Sequence, residues 1–210
     1  MGKFNQINHM KKIVLLALLF ASTLSFAQDI DVKKGDFKFL SGQKELNVEF
    51  TYDNVKLLKE NLTNAEYVSE RVADLNKKSK GNGDAWKKRW DASPQMIWNP
   101  KFIELLSKYY GNEKNVTVQE GLNDAKYTLI VDVVWLYPGW DAAVMKQPAK
   151  VSTVLRFVET ANRSNVLLEI ETDKAPGDQW GSNFSNESRI GEGFAKTAKS
   201  IAKMMVKKTK

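Results

Sequence analysis

The sequence predicts an α+β fold of two layers, with a mainly antiparallel sheet of about four strands and helices packed on one face. Three observations predict it. Alternating apolar residues mark strands in LNVEFTYDN, YTLIVDVVWLY, VSTVLRFVET and NVLLEIET. Apolar residues at helical spacing mark helices in NAEYVSERVADL, in PKFIELLSKYY and at the C-terminus. The last three strands are joined by short connections, which favours antiparallel neighbours.

The first element is a leader, residues 1–27. Lys11 and Lys12 precede a short apolar run from Ile13 to Phe20, and Ser25-Phe26-Ala27 offers small residues at the right spacing for cleavage before Gln28. This is the grammar of a secretory signal peptide. The uninterrupted apolar run is well short of the roughly 20 residues that a membrane span needs. The 210-residue chain has no cysteine, so no thiol is available for a lipid anchor or a disulfide. The expectation is an exported product of the periplasm or the medium, with no integral membrane span after cleavage. Lys3, Lys11 and Lys12 supply three of the formal +7 charges, leaving the mature chain near +4. That is a weak footprint for nucleic acid, and none is expected as a partner.

Residues 28–44 are polar and read as an N-terminal linker. The domain, residues 45–210, opens with a strand carrying Leu46, Val48 and Phe50 on one face. Thr63 and Glu66 fit a capping box for a helix whose apolar face is Ala65, Val68, Val72 and Leu75. A second helix begins at Asp84, with Trp86 and Trp90 on one side, and breaks at Pro94. Asn99 then caps a third, with Pro100 in its first turn. Trp86, Trp90 and Trp98 alternate with Lys87, Lys88 and Arg89, a pattern that reads as buried rings beneath a solvated basic face. In the long strand, Tyr127, Leu129, Val131, Val133, Trp135 and Tyr137 share one face by strict alternation. Residues 173–188 read as a polar loop. The last helix carries Ile190, Phe194, Ala198, Ile201 and Met205 as one stripe, with lysines opposite. This predicts a helix docked on the sheet rather than on a membrane.

Function is constrained mainly by what is missing. The only histidine is His9, in the leader, so the mature chain has neither histidine nor cysteine. Nucleophile–histidine systems, the usual zinc and copper sites and histidine acid–base catalysis are all removed. No dinucleotide or P-loop motif is present. No metal or cofactor is expected. Carboxylate chemistry remains, with Asp132, Asp141, Glu159, Glu169 and Glu171 as candidates. Asp132, inside an apolar run, reads first as a residue on the less buried face of its strand.

The candidate binding residues are Trp135, Tyr137, Trp140, Asp141 and Trp180. WLYPGWDA gathers three rings around a Pro-Gly turn, and Trp180 lies in the late polar loop. Trp135 and Tyr137 read as core. Trp140, beyond the turn, reads either as a lid over the sheet end or as an exposed platform for a ligand.

The stretch 125–160 together with RIGEGFAKTAKSIAKMM resembles a group of uncharacterised secreted proteins of Bacteroidetes. The matching residues are Pro138, Gly139, Trp140, Lys146, Ala149, Arg189, Ile190, Phe194, Ala195 and Lys196. More distantly, the order of elements is similar to the envelope domains of TolB-like, LpoB-like and CsgG-like proteins. The resemblance implies protein–protein work in the cell envelope rather than catalysis. Three readings follow: a non-enzymatic envelope protein binding another protein, a module binding glycan or cell wall through the aromatic turn, and a carboxylate-only glycoside hydrolase.

Overall fold

The computed structural model describes residues 28–142, 145–177 and 185–209, with backbone alone at 141, 142, 145 and 146. The leader lies outside these residues. The fold is built on β6 (Tyr127–Tyr137), whose apolar run suits a strand covered along much of its length. On one side it pairs antiparallel with β9 (Ala149–Glu159), which pairs antiparallel with β10 (Asn162–Gly177). On the other side it pairs parallel with β2 (Glu45–Thr51). That parallel pair departs from antiparallel expectation because the whole helical segment lies between β2 and β6. A crossover of that kind returns the chain in the same direction.

The sheet has eight strands rather than about four, in the order β1 (Asp29–Lys34), β10, β9, β6, β2, β5 (Thr117–Gln119), while β3 (Lys56–Leu57) pairs with β6 at Trp135 and Leu136 and β4 (Leu62–Thr63) pairs with β3. The additional strands are short. β5 (Thr117–Gln119) adds to β2, and β7 (Trp140–Ala142) pairs with β8 (Met145–Gln147) as a separate hairpin. The expected linker is instead an edge strand: β1 (Asp29–Lys34) pairs with β10 from Asp29↔Asp173 onward. An edge strand buries little, and of DIDVKK only Ile30 packs on the core, so the brief alternation of Ile30 and Val32 is a weak signal.

The helices cover one face. α1 (Asn64–Lys78) starts with the expected box: the Thr63 amide donates to Glu66 Oε2 at 2.7 Å and the Glu66 amide donates to Thr63 Oγ1 at 3.2 Å. α2 (Asn82–Ser93), α3 (Asn99–Leu106) and α4 (Asn112–Lys114) form one rod joined by π-turns, Pro94–Trp98 and Ser107–Gly111. Asn99 therefore does not cap a new helix. Its amide donates to the Pro94 carbonyl, and its side chain accepts from Tyr52 Oη at 2.6 Å. The wider turn gives room for the ring of Pro100 where a tight turn would clash. Trp86, Trp90 and Trp98 are buried, packed ring to ring at 5.4 and 5.3 Å, and Trp98 stacks on Phe194 at 5.9 Å.

α5 (Asn186–Lys208) docks on the sheet by the expected stripe, with Ile190, Phe194, Ala198, Ile201 and Met205 fully buried. Its approach is close at Gly193, where a Cβ would stand 2.6 Å from Val151 Cγ2. Among the described residues no helix is long and apolar enough to cross a membrane.

Candidate functional site

β6 does not keep strict alternation to its end. Val133 pairs with Thr153, but Trp135 pairs with Ser152 and Leu136 with Val151. One extra residue, Val134, makes a bulge, and every later side chain changes face. Leu136 joins Val131 and Val133 under the helices, while Trp135 and Tyr137 turn to the opposite face and are only half-buried. The expectation that both rings belong to the core is corrected here. The two rings stack on each other at 6.1 Å and 9°, and Trp135 Nε1 donates to the Leu58 carbonyl at 2.8 Å.

The turn that follows is tightly built. Gly139 has φ +69°, and a Cβ there would lie 2.5 Å from the Gln147 carbonyl oxygen, so only glycine fits. Gln147 Oε1 accepts from Tyr137 Oη at 2.7 Å and from Trp140 Nε1 at 3.1 Å. One amide thus holds two of the candidate rings. Trp140 remains 41% exposed, which excludes a closed lid at this residue. Asp141 lies on β7, opposite Lys146. Trp180 lies outside the described residues.

Beside the turn is an open cleft of about 790 Å³. Its floor and walls come from three elements distant in sequence: Tyr137, Pro138, Gly139 and Trp140 from the turn, Tyr67, Glu70, Arg71 and Asp74 from α1, and Asn186 and Arg189 from α5. Arg189 is buried and ties two walls together, donating to Asn186 Oδ1 and, at 3.5 Å, to the Pro138 carbonyl. The turn and the final helix therefore meet at this cleft. Burial pushes the Tyr67 phenol above its ordinary value, so it stays a neutral donor. The cleft thus offers an exposed aromatic ring, carboxylates at Glu70 and Asp74, and guanidinium groups at Arg71 and Arg189.

The α1 residues carry no motif. Tyr67, Glu70 and Asp74 fall at helical spacing, which shows that they share a face but not what that face meets. Of the carboxylates, Asp132 is on the sheet face away from the helices, held by Arg156 Nη1 at 3.0 Å and Thr51 Oγ1 at 2.8 Å. Arg156 also binds Glu169 at 2.8 Å. These two carboxylates are joined by an arginine, an arrangement suited to stabilising the sheet rather than to moving protons. Among the described residues no group of carboxylates is arranged to hold a metal ion.

No protein-family model matches the chain, and no curated protein matches it. Among solved structures it is similar to the PelC dodecamer from Paraburkholderia phytofirmans, at 11% identity and a TM-score of 0.40, over 82% of this chain and 96% of that one. A point variant of the same PelC in another space group gives 11% identity and a TM-score of 0.38, over 88% and 100%. A likeness of this size carries no conclusion about activity or assembly.

Proposed function

We propose that this chain is an exported, non-catalytic binding protein of the bacterial envelope, and that it grips a segment of another envelope protein in the cleft beside the Pro138-Gly139 turn. The observation that carries this reading is the composition of the cleft. An exposed indole, one buried and one half-buried phenol, and charges of both signs line one open hollow, a lining suited to a polypeptide with its mixed side chains and backbone amides. The missing histidine and cysteine weigh against catalysis in the same place. A photo-crosslinking residue at Trp140 is expected to capture one envelope protein in cells, and Arg71→Ala to reduce the yield. If the adduct forms equally well from a probe on the sheet face at Glu169, the cleft is not the site.

A glycan is the second reading, favoured by the exposed ring of Trp140 held in place by Gln147. Sugars stack on such rings and bond to nearby carboxylates and guanidinium groups. Tryptophan fluorescence that shifts with cell-wall fragments in the native protein, but not in Trp140→Phe, supports it. An unchanged spectrum across the panel removes it.

A further inference from the structure

One side of the last helix carries a run of basic charge. Lys196, Lys199, Lys203 and Lys207 recur every three or four residues along α5, on the side opposite its buried stripe. They form a row about 16 Å long. Lys108, from the second π-turn, stands beside them. The ammonium groups of Lys199, Lys108 and Lys203 lie 5.1, 5.7 and 6.0 Å from the ring centre of Tyr109. Three like charges are thus drawn towards one half-buried ring.

Among the described residues, no carboxylate lies within 4.0 Å of these five lysines. Arg156, Arg163 and Lys33 on the sheet are all paired, and Lys101, near the start of the same face, binds Glu192 at 3.3 Å. The five lysines exceed the net charge of about +4 left to the mature chain, so the remaining surface is slightly acidic. A helix C-terminus favours cations only in its last turn. That accounts for Lys207 but not for Lys196 or Lys199.

We infer that this lysine face docks the protein, peripherally, on an anionic membrane surface. The shape of the patch selects the occupant. It is a straight row on a convex helix, and none of its five lysines lines the cleft beside the turn. A plane of negative headgroups can meet all five charges at once. A nucleic-acid strand wants a groove with open ring faces for stacking, and here the ring is covered by ammonium groups. The apolar stripe of α5 is buried in the core, so contact is electrostatic and without insertion. This inference is independent of what fills the cleft.

The test is sedimentation of the full chain with vesicles of equal parts phosphatidylcholine and phosphatidylglycerol, and with phosphatidylcholine alone, at low and physiological salt. Binding only to the anionic vesicles, weakened by salt, is expected. The triple variant K108Q/K199Q/K203Q, which shares the same leader, should bind about a hundredfold more weakly, at roughly fivefold per lysine. The double variant K196Q/K207Q should lose about 25-fold on the same scale. Arginine at the same five positions should restore binding. Equal binding by native protein and both glutamine variants overturns the inference. So does retention of a DNA fragment while vesicles go unbound.

Discussion

At the scale of the residue, the groups that matter are those whose partners are far away in sequence. Arg163 makes two bonds of 2.6 Å to Glu49, and this guanidinium holds the Glu49 carboxyl below its ordinary value of 4.5. A depressed carboxylate stabilises the fold above its unfolded value and loses that contribution as pH falls below about 4.5. Both side chains are more than a third exposed, so Arg163→Ala should cost less than about 1 kcal/mol at neutral pH. In urea titrations the difference between the two proteins should shrink towards zero as the medium is acidified. Tyr110 behaves in the opposite sense, since burial pushes its phenol up to about 12. The native state keeps that proton while the unfolded chain loses it near 10, so stability should fall as pH rises between the two values. Tyr110→Phe should flatten this alkaline slope in the same titration. Trp140 is 41% exposed, whereas Trp86, Trp90 and Trp98 are at most 5% exposed. Trp140→Phe should therefore delete a component of the fluorescence that acrylamide quenches, and survival of that component would place the exposed indole elsewhere.

At the scale of the element, the sequence was most readable where structure is local. The capping box at Thr63 and Glu66, the stripe of α5 and the three late strands follow from spacing and side-chain type over a few residues. Pro94 and Asn99 do not break the rod, because a π-turn satisfies the backbone without stopping the helix. The packing of α5 makes a sharp demand. At Gly193 an added methyl meets Val151 at 2.6 Å, and such overpacking costs about 1–3 kcal/mol. Gly193→Ala should lower the thermal midpoint, whereas Ser200→Ala, further along the same helix and only half-buried, should leave it nearly unchanged. Phe194 is fully buried against Trp98, and Phe194→Ala should cost about 3–5 kcal/mol.

At the scale of the whole molecule, one layer of helices lies on a mixed sheet whose other face is stitched by Arg156 and Arg163. The centre of the sheet is β6 and β9, and β1 lies at its edge with mostly exposed side chains. Amide hydrogens of β6 and β9 should exchange most slowly and those of β1 much faster, as mass spectrometry of peptides from the native state would report. Uniform exchange across the sheet would contradict this order. The division between what could be read and what could not is a division of range. Residue order alone determined the α+β class, the main helices and strands, the buried tryptophans, the concentration of lysines in the last helix and the absence of cysteine. Each depends on neighbours within a turn or two, or on composition. Tertiary structure decided the parallel placement of β2 beside β6, the pairing of β1, the bulge at Val134 that turns Trp135 and Tyr137 outward, and the meeting of α1, α5 and the Pro-Gly turn around one cleft. Those features rest on contacts between residues many tens of positions apart, where a one-residue shift in register reverses which face a side chain takes.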